Sequence, residues 1–162
     1  MTEKRKHKRF AATAFLNTPV YITPLPPFFG STLKGKLIDL SAGGMSVNIN
    51  GYLPQNTLLH LALQFSDGTL IEAIVELRHF RPNGKKTLYG FEFIKIDSKL
   101  SDKINQMSSE FIDCENRIQK QESNICRNSC AFFSLCSKEQ KNIIDNSTPI
   151  NKEIHITFQK VV

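Results

Sequence analysis

Between residues 11 and 96, apolar side chains recur at every second position in short runs separated by turn residues, the pattern of strands half-buried in a sheet. Residues 14–22 form the first run, which ends at the proline-broken loop TPLPPFFG. Residues 33–40 alternate through Leu33, Gly35 and Leu37, and then Met45, Val47 and Ile49 face one way while Ser46, Asn48 and Asn50 face the other. In 58–65, Leu59, Leu61, Leu63 and Phe65 are in phase, and Ser66-Asp67-Gly68-Thr69 follows with hairpin-turn chemistry. A strand over 70–79 leads to a second turn at Arg81-Pro82-Asn83-Gly84-Lys85, where Asn-Gly is a strong hairpin signal. Tyr89, Phe91 and Phe93 alternate through the last strand, 88–96. Six short strands with hairpin links predict a mainly β protein built on a small antiparallel barrel.

After Ile96 the period changes. Leu100, Ile104, Met107, Phe111, Cys114 and Ile118 recur at spacings of four and three, one stripe along a helix predicted over 98–121 and capped by Asp97 or Ser98. Residues 137–152 read as a polar linker, and alternation at Ile154, Ile156 and Phe158 predicts a further strand. The chain thus divides into a basic arm (1–10), a barrel with the start of its helix (11–112), and a helix end with a cysteine-rich segment and tail (113–162).

Composition supports a folded body: 40% of the 162 residues are apolar and 22% are charged, which excludes disorder throughout. The formal charge of +6 is unevenly placed. Residues 1–10 carry +4, leaving only +2 for the rest, so this is a near-neutral body with a basic arm. That distribution disfavours a nucleic-acid binder, which would spread its charge along a face and add exposed stacking aromatics. Asn17, Thr18 and Pro19 interrupt the apolar stretch after the arm, so neither a secretory leader nor membrane insertion is expected, and a cytoplasmic location follows.

Two motifs carry chemistry. Arg5 and Arg9 stand four apart in the arm, and Asp39-Leu40-Ser41-Ala42-Gly43-Gly44 joins two predicted strands. Alone, each has a plain reading, as a solvated basic terminus and an ordinary turn. Together, in this order, they resemble the PilZ domain family, whose signatures are RxxxR in the N-terminal arm and [D/N]xSxxG between the second and third strands. Gly90-Phe91-Glu92-Phe93 is similar to a GxxF element near that family's last strand. The resemblance covers roughly residues 3–115. It implies a six-stranded PilZ-type barrel with a C-terminal helix, here with a Cys-containing extension, that binds the bacterial second messenger cyclic di-GMP and catalyses no reaction.

The residue types suit that ligand, which offers two phosphates and two guanines. A guanidinium is a planar fork that donates to guanine O6 and N7, clamps a phosphate, or stacks on a purine, so Arg5 and Arg9 are the expected grips. Asp39 presents acceptors to the N1–H and N2–H of guanine, which adenine cannot match. Ser41 donates or accepts beside it, and Gly44 allows close approach. With almost no apolar anchor, residues 1–9 are expected to order only on binding and to present a new surface to an effector protein. Homo-oligomerisation is left open.

Cys114, Cys126, Cys130 and Cys136 fall within 23 residues, and the first 113 residues have none. Four thiols suit zinc or an iron–sulfur cluster, which makes a metal- or redox-sensing module the alternative function. Competing readings make Cys114 a small buried hydrophobe in the helix stripe, place Cys130 and Cys136 in a core with Phe132, Phe133 and Leu135, or pair the cysteines as disulfides. His7, His60, His79 and His155 are scattered, and no GxSxG, Walker A or GxGxxG motif occurs, so catalysis has no support.

Overall fold

The computed structural model describes residues 7–11, 18–27 and 30–136. Alternating burial shows how the strands form. In β5 (Leu58–Gln64) Leu59, Leu61 and Leu63 are buried, and in β6 (Leu70–Asn83) Ile71, Ala73, Val75 and Leu77 are buried. Each β-branched or leucine side chain so enclosed stabilises the fold by ~1.5–3 kcal/mol. With β2 (Pro19–Pro24), β3 (Leu33–Ser41), β4 (Gly44–Ile49) and β7 (Lys86–Ile96), they form an antiparallel sheet in the order β3-β2-β5-β6-β7-β4, which β3–β4 pairing closes into a ring. The six-stranded barrel expected from the sequence is therefore present.

A seventh strand, β1 (Phe10–Ala11), was not anticipated. It pairs outside the ring with β3, Phe10 opposite Leu40 and Ala11 opposite Asp39. Two residues are too few to show a period, but Phe10 is almost fully buried and fixes the end of the arm. Its ring lies 5.8 Å from Phe111 and meets Phe132 edge-on at 5.2 Å.

The helix α1 (Ser98–Gln119) starts where expected, with Asp97 Oδ1 accepting from the Leu100 N–H at 3.1 Å. Ile104 and Met107 are buried, and Leu100 and Phe111 pack beside them, so the stripe does face the barrel. The chain then turns back, and a short 3₁₀ turn at Phe133–Leu135 seats Phe132 and Leu135 in the same core. The extension is thus partly a lid on the barrel. Among the described residues no helix is long and apolar enough to cross a membrane. Arg5, the start of the 14–22 run, the 137–152 linker and the 154–158 strand lie outside the described residues, wholly or in part.

Candidate functional site

The β3–β4 hairpin brings the turn motif against β7. Ser41 is buried, and its hydroxyl donates to the Gly44 carbonyl at 3.1 Å, closing the turn. The Gly43 carbonyl accepts from the Phe93 N–H at 3.0 Å. A Cβ on Gly44 would stand 2.0 Å from the Phe91 carbonyl oxygen, so glycine is required there by close approach of the β7 backbone. Ser41 and Gly44 therefore shape the turn, and the Ser41 proton is engaged within it.

The arm meets this turn. Strand β1 places Arg9 beside β3, where Arg9 Nη1 lies 3.8 Å from Asp39 Oδ1. That separation brings the charges together but is too long for a hydrogen bond. Asp39 Oδ1 is buried and has no hydrogen-bond partner among the described residues. An acceptor left so is costly, and a donor entering here would relieve it. His7 covers Gly43, and its Nδ1 lies 3.4 Å from Asn105 Oδ1 of α1. Residues 7–9 are thus already seated on the barrel, so any ordering of the arm narrows to the residues before His7.

Two hollows flank Arg9. The first, about 450 Å³, is lined by His7, Ser41, Gly43, Arg78 and Glu92, among others. The second, about 440 Å³, is lined by Asp39, Ser46, Arg81 and Leu88, among others. Arg9 and His79 line both and form their shared wall. The structure therefore brings Arg9, Asp39 and Ser41 into one region, with Gly44 beneath it.

Sequence reading missed Arg78, His79 and Arg81. Register shifts between Leu77 and His79, which puts His79 opposite Gly90 with its ring where a Gly90 Cβ would lie, at 2.2 Å. Gly90 makes room for that imidazole. Arg78 is held by Glu76 at 3.1 Å and by Glu92. Three cationic or imidazole side chains within four positions, at the end of an apolar strand, were the available signal.

All four cysteines line a different cavity, between α1 and the returning segment. They remain thiols rather than disulfides. Burial, with Glu110 and Cys126 nearby, pushes the Cys130 thiol up to about 11 despite a hydrogen bond from the Phe132 backbone. Among the described residues no three His, Cys, Asp or Glu side chains form a set that could hold a metal ion as they stand.

Comparison with solved structures shows the same fold. The chain is similar to YcgR of Escherichia coli in complex with c-di-GMP, at 17% identity with a TM-score of 0.57 over 75% of this chain and 52% of that one. The Bacillus subtilis inhibitor of motility, MotI/DgrA, is similar at 16% identity and a TM-score of 0.56, over 75% and 55%. The chain spans about half the length of these two proteins. The isolated PilZ domain of Escherichia coli YcgR with c-di-GMP is matched over 99% of its length and 74% of this chain, at 17% identity and a TM-score of 0.53. No curated protein matches the chain. The PilZ domain family model matches residues 3–110, from the arm through the helix stripe, and the chain belongs to that family.

Proposed function

We propose that this chain is a cyclic di-GMP receptor whose output is a changed surface rather than a reaction. The observation that carries this reading is the buried Asp39 Oδ1, which has no hydrogen-bond donor among the described residues and lies 3.8 Å from Arg9 Nη1. Guanine supplies the missing donors through N1–H and N2–H. Once a base engages Asp39, Arg9 is released to donate to guanine O6 and N7, to clamp a phosphate, or to stack on the ring. Arg5, the other arginine of the arm motif, is assigned as the second fork. His79, in the wall shared by both hollows, offers a further ring face for stacking. The solved YcgR complexes with c-di-GMP support this choice of ligand.

Exchange of partners at Arg9 gives the signal. Without ligand, Arg9 pairs with Asp39; with ligand, Arg9 turns to the dinucleotide and draws the residues before His7 across the hollows. An effector protein then reads the new surface. Calorimetry on Arg9→Ala and Arg9→Lys tests the role of the planar fork. Both variants should lose at least about 10-fold in affinity, because a point charge does not replace bidentate geometry. Wild-type affinity in Arg9→Lys would remove the fork from the mechanism.

A further inference from the structure

A third hollow, about 400 Å³ in volume, opens on the outer face of the barrel. Lys34 and Lys36 of β3, Asn48 of β4 and Lys86 of β7 line it, and no carboxylate does among the described residues. Strand pairing explains why these side chains meet. Lys34 and Lys36 are two apart, so both leave the same side of β3, and both are exposed. Lys36 pairs with Asn48, Asn48 with Leu88, and Leu88 with Arg81, so one row crosses four strands. Lys86, paired with Asn83, stands in the next row. On the other side, the neighbouring row runs through Asp39, Ser46, Gly90 and His79, which belong to the dinucleotide region.

The donors of this hollow are available. Among the described residues Lys36, Lys86 and Arg81 enter no ion pair. The Lys34 ammonium lies 5.9 Å from the centre of the Tyr21 ring, which holds it at the wall. Asn48 Oδ1 accepts from Asn83 Nδ2 at 2.9 Å, so Asn48 keeps its own amide N–H groups for an incoming acceptor. Charge complementarity therefore selects an anionic occupant.

The extent of the patch selects its kind. Beyond the dinucleotide row the same face carries carboxylates, with Glu76 opposite Glu92, so the basic area is confined to two rows. No aromatic side chain among the described residues lines the hollow. A nucleic acid strand favours a longer basic track and aromatic platforms for its bases. A short extended peptide needs neither, and its alternate side chains repeat at about 7 Å, the same strand rise that separates Lys34 from Lys36.

We propose that this hollow docks an extended acidic segment of a partner protein, with alternate carboxylates on Lys34 and Lys36 and a further one on Lys86. Arg81 stands in the row of Lys36 and also lines a dinucleotide hollow, so the docked segment borders the ligand. The inference names the chemistry of the effector and rests on the receptor reading for that link alone, because docking itself needs no dinucleotide.

The test is fluorescence anisotropy of the full chain, without dinucleotide, against a labelled peptide about ten residues long that alternates glutamate and threonine. Saturable binding that weakens as salt rises is expected. Lys36→Glu combined with Lys86→Glu should weaken it at least about 10-fold, since reversal replaces attraction with repulsion. Lys95→Glu combined with Lys99→Glu makes the same change in net charge away from the hollow and should leave binding unchanged. No saturable binding, equal binding of the peptide with glutamine in place of glutamate, or an equal loss in both double variants overturns the proposal. Tighter binding of a single-stranded oligothymidylate than of the peptide at the same salt also overturns it, in favour of nucleic acid. Calorimetry with cyclic di-GMP on the same wild-type protein tests the receptor reading separately, so the two fail independently.

Discussion

Replacing Asp39 with alanine should separate binding from stability. In the unliganded protein Asp39 Oδ1 is buried with no hydrogen-bond partner among the described residues, a condition that costs ~1–3 kcal/mol. Its ion pair with Arg9 is long, at 3.8 Å, with side chains 27% and 33% exposed, and such pairs return only ~0–1 kcal/mol. Removing the carboxylate therefore leaves the unliganded fold as stable as before or more stable by about 1 kcal/mol, an upward shift of about 3 °C in melting temperature. Binding responds in the opposite direction. Two hydrogen bonds to a charged acceptor are lost, at ~1.5–3 kcal/mol each, so the affinity for cyclic di-GMP should fall at least about 100-fold. Thermal melts with and without ligand, alongside calorimetry, measure both quantities. A variant that melts several degrees lower yet binds normally would show that Asp39 serves the fold alone.

Other perturbations probe the supports of the site. Gly44→Ala puts a methyl group against the β7 backbone at Phe91 and should destabilise the barrel by about 3 kcal/mol in denaturant titration; a wild-type midpoint would refute the close approach. Phe132→Ala empties the cluster with Phe10 and Phe111 and should cost about 3 kcal/mol, with weaker dinucleotide binding because β1 is loosened; unchanged values of both would separate the extension from the arm. Partial burial acts to raise the Asp67 carboxyl, but hydrogen bonds from Thr69, the Lys103 charge and the Ser134 hydroxyl outweigh it and leave it below its ordinary 3.8. Its contribution is therefore complete above that value and lost as pH falls through the lowered one, so Asp67→Asn should flatten the acid limb of the stability profile by about 0.5 kcal/mol.

The barrel was legible because apolar side chains alternate along its strands, and in β2, β5 and the first half of β6 that alternation is also one of burial. Legibility failed where that cause is missing. Strand β1 has only Phe10 to bury, and β6 runs on to Asn83 through residues exposed on both faces, which no alternation reveals. Within the site, Asp39, Ser41 and Gly44 are neighbours in sequence, and Arg9 joins them through an arm motif. His79 reaches Arg9 only through a register shift after Leu77 and the absence of a side chain at Gly90, neither of which sequence spacing encodes. The cysteine spacing likewise gave no sign that all four thiols line one cavity beside α1, where Glu110 and Arg117 hold the segment around Cys126 and Cys130.

Guanine recognition by Asp39 is tested most directly by titrating the full chain with cyclic di-GMP, cyclic di-AMP and GTP in one calorimetric series. Saturable binding of cyclic di-GMP, with at least about 100-fold weaker binding of cyclic di-AMP, is the predicted result, since adenine sets an acceptor against the carboxylate. Equal affinity for the two cyclic dinucleotides, or no heat from either, would contradict it.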